Sequence, residues 1–421
     1  MNASAAYGLF RVQRVRIMAV VLCLLLLTPL ISGCWDVRYL DRIGVVFAIG
    51  VDDDPTGKHK LLLSVQVVLP QNVSGGSSRG SSAQGPAVIT FRESADTMFE
   101  GLRHMGTMTS RRLYFSHTQL FVIGDAIARQ GFWPLLDFVD RNPEVRTNIQ
   151  MLVARGTRAE QLLKTTTLME PIPVQQIHSM VETTQKSWPQ SYKVTAQELI
   201  RDAVDDMKQS TMPSILLVGN KSSGNDSKNV EKIKPDVIPK LSTMAIFRSG
   251  ELIGYLNQQQ SLGLGWIMNK VNDTIVKVPC FDNDKSQGEV TIEIQSAVTK
   301  LSVRRSKKSA YPEIMISVKT KGIISEITCR DLNVIDETTF ELFQAKGEKK
   351  ITAEIEAAIK QIQGVFHTDT FGWSTVIYKG MPQTWKKLKP RWDDEFVHIP
   401  HQLKVDVKIG GTGLRGKSIV K

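Results

Sequence analysis

Acidic residues are in deficit. Forty-two Asp and Glu stand against 53 Lys and Arg, a formal charge of +11. A balance of that sign suits an anionic membrane surface, an acidic partner or nucleic acid. Cysteine is scarce as well: four in 421 residues excludes a dense disulfide scaffold. Only one long apolar run is present and mean hydropathy is −0.13, which excludes a polytopic membrane protein. Forty-two per cent of the chain is nevertheless apolar, enough for a core, so disorder is excluded. There is no internal repeat.

The single apolar run sets the compartment. Arg11, Arg14 and Arg16 precede Ile17–Ile31, and no acid appears before Asp36. As a helix this run reaches roughly 22 Å, short of a hydrocarbon core of about 30 Å. It fits the apolar region of a secretory signal. It ends in Ile31-Ser32-Gly33-Cys34, which resembles a bacterial lipobox. The resemblance implies cleavage before Cys34, a diacylglyceryl group on its thiol, and a mature chain of 421 − 33 = 388 residues with a charge of 11 − 3 = +8. One acyl chain anchors marginally, whereas two on one cysteine hold firmly. The uncleaved alternative leaves a signal anchor and an ordinary thiol.

The remainder reads as a multi-domain α+β protein, with mixed and antiparallel sheets packed against helices. The expected divisions are a signal over 1–33, an N-terminal domain over 34–190 with a flexible Ser/Gly loop at 74–86, a middle segment over 191–239, a C-terminal domain over 240–414 and a tail over 415–421. Gly219–Lys228 is the best boundary candidate. Val45–Val51 and Leu61–Leu69 read as a hairpin across Asp52–Gly57. Leu113–Ile123 and Met151–Ala154 read as strands, and Phe132–Asp140 as a short helix stopped by Asn142-Pro143. Ala95, Met98, Phe99 and Leu102 fall on one helical face. Thr157-x-x-Glu160 and Thr195-x-x-Glu198 fit capping boxes. Ala245–Phe247 and Leu252–Leu256 flank a turn at Arg248–Glu251. Val290/Ile292/Ile294, Ile314/Ile316/Val318 and Leu403/Val405/Val407/Ile409 alternate with polar residues, which predicts antiparallel strands wet on one face. Ile351, Ile355, Ala358, Ile359 and Ile362 make the stripe of a long amphipathic helix in the C-terminal domain.

Chemical motifs are weak. Gly411–Ser418 matches G-x-x-x-x-G-K-[ST] after a strand, but only three residues follow, so no helix can bring its N-terminus to a phosphate. It reads as a tail. His398-x-x-His401 spans a proline and lacks a partner set for metal. Asp137 and Asp140 read as solvated acids. No catalytic constellation emerges, so neither enzyme activity nor cofactor nor metal is expected. Trp385-Lys-Lys-Leu-Lys-Pro-Arg-Trp392 interleaves aromatics and cations, a pattern that can stack bases or seat at lipid headgroups. The favoured reading has the tryptophans anchoring a turn and the lysines in water. Arg304–Lys308 is a second basic cluster at a hairpin tip, able to attract anionic lipid if it lies near a membrane. Cys280 and Cys329 could bridge, but the reading favours free thiols.

Several motifs together resemble the C-subunit lipoproteins of spore germinant receptors, the Ger(x)C family. Cys34-Trp35-Asp36 and Ile49-Gly50-Val51-Asp52 match its start. Arg111–His117, Leu136-Asp137-Phe138 and Arg141–Arg146 are similar to its first-domain signature. Ala245–Phe247, Leu252–Leu256, Asp369–Gly372, Pro382–Trp385 and Trp392-Asp393 follow in its order. The resemblance implies a non-enzymatic subunit lipid-anchored at Cys34 on the outer face of the spore inner membrane. It would act with an A subunit and a polytopic B subunit in nutrient sensing, without nucleic acid. Arg111, Tyr114, His117 and Arg146 are candidate interaction residues. The competing expectation is a solute-binding lipoprotein of a transporter.

Overall fold

The computed structural model describes residues 16–22, 42–73, 85–205, 207–281, 284–329 and 337–412. Residues 1–43 form one unit, in which 16–22 are helical, and Gly44–Lys421 form another. Ile31–Cys34, most of the Ser/Gly loop and the chain from 413 onward lie outside the described residues.

Asp54, with the turn behind it, reverses the chain between β1 (Ile43–Asp53) and β2 (Leu61–Val68), which pair antiparallel with Val51 opposite Leu63. β3 (Val88–Ala95) extends this edge. On the other side β5 (Leu120–Gly124), β6 (Gln150–Ala154) and β7 (Thr211–Gly219) run parallel to β1. β8 (Val237–Arg248) and β9 (Glu251–Tyr255) close the sheet antiparallel. The order is β3-β2-β1-β5-β6-β7-β8-β9, with the short β4 (Arg112–Tyr114) also on β1. The central strands are apolar throughout because both faces are covered. Phe121 and Ile123 enter one core, Leu120 and Val122 the other. The 191–239 segment expected to join two domains carries a helix and β7, and the sheet runs through it. Gly219–Lys228 lies in the β7–β8 connection.

A second sheet has the order β10 (Thr274–Phe281), β11 (Asp284–Arg305), β12 (Pro312–Ile327), β13 (His401–Thr412). The first two pairings are antiparallel, as expected, but β13 runs parallel to β12. Alternation reports a half-buried strand of either direction. The helical segment before β13 carries the chain back to start it beside Ile314.

Helices cover both sheets: α1 (Met98–His104), α2 (Asp125–Gln130), α3 (Trp133–Arg141), α4 (Ala159–Lys164), α5 (Pro173–Ser187), α6 (Ala196–Asp205), α7 (Gln258–Ile267), α8 (Glu337–Ile362), α9 (Trp373–Gly380), α10 (Pro382–Leu388) and α11 (Trp392–Phe396). The long amphipathic helix is α8, with Ile351, Ile355, Ile359 and Ile362 buried against the second sheet. α7, continuing from β9, lies across it. A Cβ on Gly263 would fall 2.0 Å from the Glu354 carbonyl oxygen, so only glycine lets the two backbones approach this closely. Beside it, the Trp266 indole donates to the Glu354 carboxylate at 3.0 Å. Burial raises that acid's pKa, with Trp266 and Lys350 opposing.

Local caps follow the sequence in one case and not in the other. Thr195 and Glu198 make their box at α6: the Glu198 amide donates to Thr195 Oγ1 and the Thr195 amide to the Glu198 carboxylate. At α4 the expected Thr157–Glu160 box is replaced. Asp52, on distant β1, accepts from the amides of Ala159 and Glu160 at 2.8 and 2.9 Å, while Glu160 turns to Lys164 and Arg92. Asp369 does the same for α9, taking the amides of Trp373 and Ser374 at 3.0 and 2.8 Å. Leu113–Ile123 is not one strand either. It breaks over Phe115–Gln119, where the Thr118 amide bonds the Phe115 carbonyl and Thr118 Oγ1 the Val46 carbonyl.

Cys280 and Cys329 are joined in a disulfide, with Cα atoms 6.0 Å apart, which corrects the expectation of free thiols. The sheet makes the pairing. Pro279 lies opposite Glu289 on β11, and Thr328 bonds Glu289 from the other side, so two cysteines 49 residues apart meet across one strand. In denatured protein without reductant, neither of these two cysteines should take up a thiol reagent; labelling of both would exclude the bridge. Replacing both with serine should lower the unfolding free energy by about 4 kcal/mol in the chain-entropy account.

Asp369 has a pH signature. It is 2% exposed, and burial raises its pKa above 3.8 despite the amide bonds from Ser374 and Trp373. The folded chain therefore binds this proton more readily than the unfolded chain. The contribution is fully present below 3.8 and is lost as pH rises through the folded value. Between about pH 7 and about pH 4 the stability difference between the natural chain and Asp369→Asn should shift toward the natural chain, as read by urea titration at each pH. Asp369→Ala leaves two helix amides unsatisfied and should cost about 1–3 kcal/mol.

Candidate interaction surface

The four candidate residues lie on two neighbouring segments. Arg111 precedes β4, Tyr114 ends it, and His117 sits in the turn before β5. Arg146 follows the loop after α3, in which Asn142 Oδ1 accepts the Glu144 amide and buried Val145 plugs the turn. Tyr114 and His117 touch edge to face at 5.7 Å. The link between the segments is made by residues not singled out from sequence. Arg112 pairs with Glu144 at 2.5 Å, and Ser116 Oγ donates to the Glu144 carbonyl at 3.2 Å. Arg146 and His117 are exposed.

Beside this corner two hollows open on either side of one ring. The first, about 370 Å³, is lined by Phe99, Leu102, Leu113 and Phe115 with Arg103 and Arg111 at its margin. The second, about 430 Å³, is lined by Leu61, Met98, Leu135, Phe138 and Pro143. Phe99, Asn142 and Pro143 border both. Phe99 is 56% exposed, and the Arg103 guanidinium stands 4.9 Å from its ring centre.

The exposure of Phe99 corrects the expected helical face. Thr97 caps α1 by accepting the Glu100 amide, so Ala95 belongs to β3 and the helix begins at Met98. The inward face is Met98, Gly101 and Leu102. A Cβ on Gly101 would come 2.5 Å from Leu63 Cδ1, so this glycine carries the close contact with the sheet and Phe99 is turned outward. A glycine at i+3 within an apolar stripe was the signal available for this.

The other motifs are absorbed into structure. His398 stacks on Tyr311 at 5.8 Å and His401 bonds Glu356 at 3.2 Å, so the pair is divided between different partners. Asp137 holds Arg141 at 2.9 Å. Trp385 and Trp392 are buried and meet edge to face at 5.0 Å, which makes them the anchors of a turn. Among the described residues no helix is long and apolar enough to cross a membrane, and no group of three His, Cys, Asp or Glu is arranged to hold a metal ion.

Comparisons with known proteins cover nearly the whole chain. Residues 36–217 match the family described as spore germination protein N-terminal domain, and residues 242–413 the family described as spore germination B3/GerAC like, C-terminal. Spore germination protein KC of Bacillus subtilis is 29% identical over 405 residues, covering 94% of this chain and 97% of that protein. Spore germination protein B3 of the same organism is 24% identical, covering 92% and 96%. The crystal structure of the GerBC protein superposes with a TM-score of 0.50 at 20% identity, over 89% of this chain and 100% of that one, a likeness of fold. With both halves matched in order and the fold shared, the chain belongs to the Ger(x)C family of spore germination proteins.

Proposed function

We propose that this chain is the lipid-anchored C subunit of a nutrient germinant receptor, needed for nutrient-triggered spore germination. It acts by binding protein partners rather than by catalysis. What carries the reading is the near full-length similarity to proteins named for spore germination. The lipobox-like Ile31-Ser32-Gly33-Cys34 after a basic, apolar leader supports acylation at Cys34 and a place on the outer face of the membrane. The partners are the receptor's A and B membrane subunits. The Phe99 ridge suits contact with them. The second hollow is apolar and takes an anchoring side chain, while the first mixes apolar walls with polar groups, where Arg103 and Arg111, with no carboxylate partner among the described residues, favour acidic groups. Confinement to the membrane raises local concentration, so each contact can be weak.

Cys34→Ala should leave the fold intact, move the protein to the soluble fraction of broken cells and weaken germination in response to nutrients. A variant still membrane-bound and fully active sinks the anchoring argument. Phe99→Ala combined with Arg111→Glu should change stability by no more than about 1 kcal/mol, since Phe99 is exposed and Arg111 is half-buried with no ion pair among the described residues. The same variant should retain far less of the A and B subunits when the tagged protein is captured from spore membranes. Undiminished capture would move the interface elsewhere.

A further inference from the structure

Two basic stretches, far apart in sequence, meet on the second-sheet side of the molecule. β11 and β12 pair as far as Arg305 and Pro312, leaving a short tip between them. Ser306 Oγ accepts the amides of Lys308 and Ser309, both at 3.1 Å, which fixes the tip. The base of the tip packs on the helices before β13. Tyr311 donates its hydroxyl to Glu395 at 2.7 Å, and a Cβ on Gly380, at the end of α9, would fall 2.4 Å from Val303 Cγ1. In those helices the buried Trp385–Trp392 pair, with Phe396 5.8 Å from Trp392, clamps the turn between α10 and α11. Apart from Leu388, which packs on the core, the residues between the tryptophans are thereby turned outward beside the hairpin.

Ion pairs use few of these cations. Arg304 is taken by Glu313 and Arg391 by Glu395. Arg305, Lys307, Lys308, Lys386, Lys387 and Lys389 are all exposed and have no carboxylate partner among the described residues. Of the acids that follow in sequence, Asp393 and Asp394 are the exposed ones with no cation bound, so the local balance is strongly positive. The shape matters too. A hairpin tip and a helix corner are convex, and none of the cavities described above is lined by these six residues. Five of the six are lysines, flexible point charges rather than planar forks suited to a fixed carboxylate. Both tryptophans face inward, which leaves no ring in the stretch for stacking a base.

We propose that the Arg305–Lys308 tip and the Lys386–Lys389 turn form a surface that binds anionic phospholipid headgroups. A broad, convex, lysine-rich face fits a diffuse plane of negative charge. It holds the second sheet against the membrane independently of the acyl group. The inference takes its setting from the membrane location proposed above, but its test does not use Cys34.

Residues 42–421 carry both sheets and both cores and lack the leader and Cys34. This segment should sediment with vesicles of phosphatidylcholine mixed with phosphatidylglycerol and stay in solution with phosphatidylcholine alone. Added salt should release it. Each such lysine is worth about a fivefold factor at an anionic surface, so Lys307→Gln, Lys308→Gln and Lys387→Gln together should lower partitioning about a hundredfold. Lys58→Gln, Lys60→Gln and Lys228→Gln, an equal charge change at exposed lysines elsewhere, should leave it within a few-fold. Thermal unfolding of both triples should match the unaltered segment. Equal binding to both kinds of vesicle, or equal losses in the two triples, overturns the proposal. So does binding to an acidic polypeptide such as polyglutamate without binding to vesicles, which assigns the surface to a protein partner. Anchoring by Cys34 stands or falls separately, on fractionation of the full chain.

Discussion

The crossing of α7 over α8 is the contact on which the rest of the arrangement depends. α7 grows out of β9, the edge of the large sheet, and α8 is the helix laid on the small one. Their backbones meet where Gly263 faces the Glu354 carbonyl. Any side chain at 263 would push the helices apart, an overpacking cost of about 1–3 kcal/mol before the loss of neighbouring contacts. The Trp266–Glu354 bond beside it satisfies both polar groups in a dry place. A second fastening lies nearby. The Gln209 amide bonds the Asp369 carbonyl, and the Ser374 hydroxyl bonds the Met207 carbonyl. The two halves are therefore tied at several points along the chain, Thr368 Oγ1 to the Phe247 carbonyl among them, and apolar packing is continuous from Phe121 in one to Ile294 in the other.

Buried carboxylates do a related job within each half. Asp52 and Asp369 are each nearly inaccessible, and each accepts two amides at the start of a helix. Burial penalises the charge, while the amides and the helix dipole favour it. In both acids burial is the stronger influence. The stabilisation is consequently conditional on geometry. The acid must sit within bonding distance of two amides, and so it fixes where a helix begins relative to a strand over 100 residues away in the case of Asp52. Strand β1 and helix α4 cannot slide past one another without leaving the Asp52 carboxyl and two helix amides unpaired.

Much of the architecture was legible because local signals and tertiary packing agree. The isoleucine stripe of α8, the Thr195 cap and the alternating strands of the second sheet all arise from residues close in sequence. What was not legible depends on distance. The direction of β13 leaves no mark on its alternation, since a parallel and an antiparallel neighbour bury the same side chains. The Cys280–Cys329 bond needs two strands to flank β11. Asp52 replaces a local cap because it is close in space, and nothing near Thr157 announces it. Phe99 faces outward because Gly101 takes the place against Leu63. For the candidate surface, sequence pointed to Arg111, Tyr114, His117 and Arg146, which the fold brings to one corner, but that Arg112, Ser116 and Glu144 join the two segments appears only once that corner is folded.

A rigid body of this kind changes what weak surfaces can do. The Phe99 ridge lies over the β2–β3 end of the large sheet, and the lysine-rich face lies at the β11–β12 hairpin tip of the small one. On the reading proposed here, a lipid at the N-terminal end of the mature chain supplies proximity but does not by itself set an orientation, because one point of attachment does not fix the rotation of a body about it. A second, electrostatic contact on the folded body removes part of that freedom. The partner surface then meets its target from fewer wrong directions, and less orientational entropy remains to be lost on binding. That gain requires the angle between the two faces to be fixed. The α7–α8 crossing fixes it, and on the proposed reading specificity resides in that angle as much as in any one side chain.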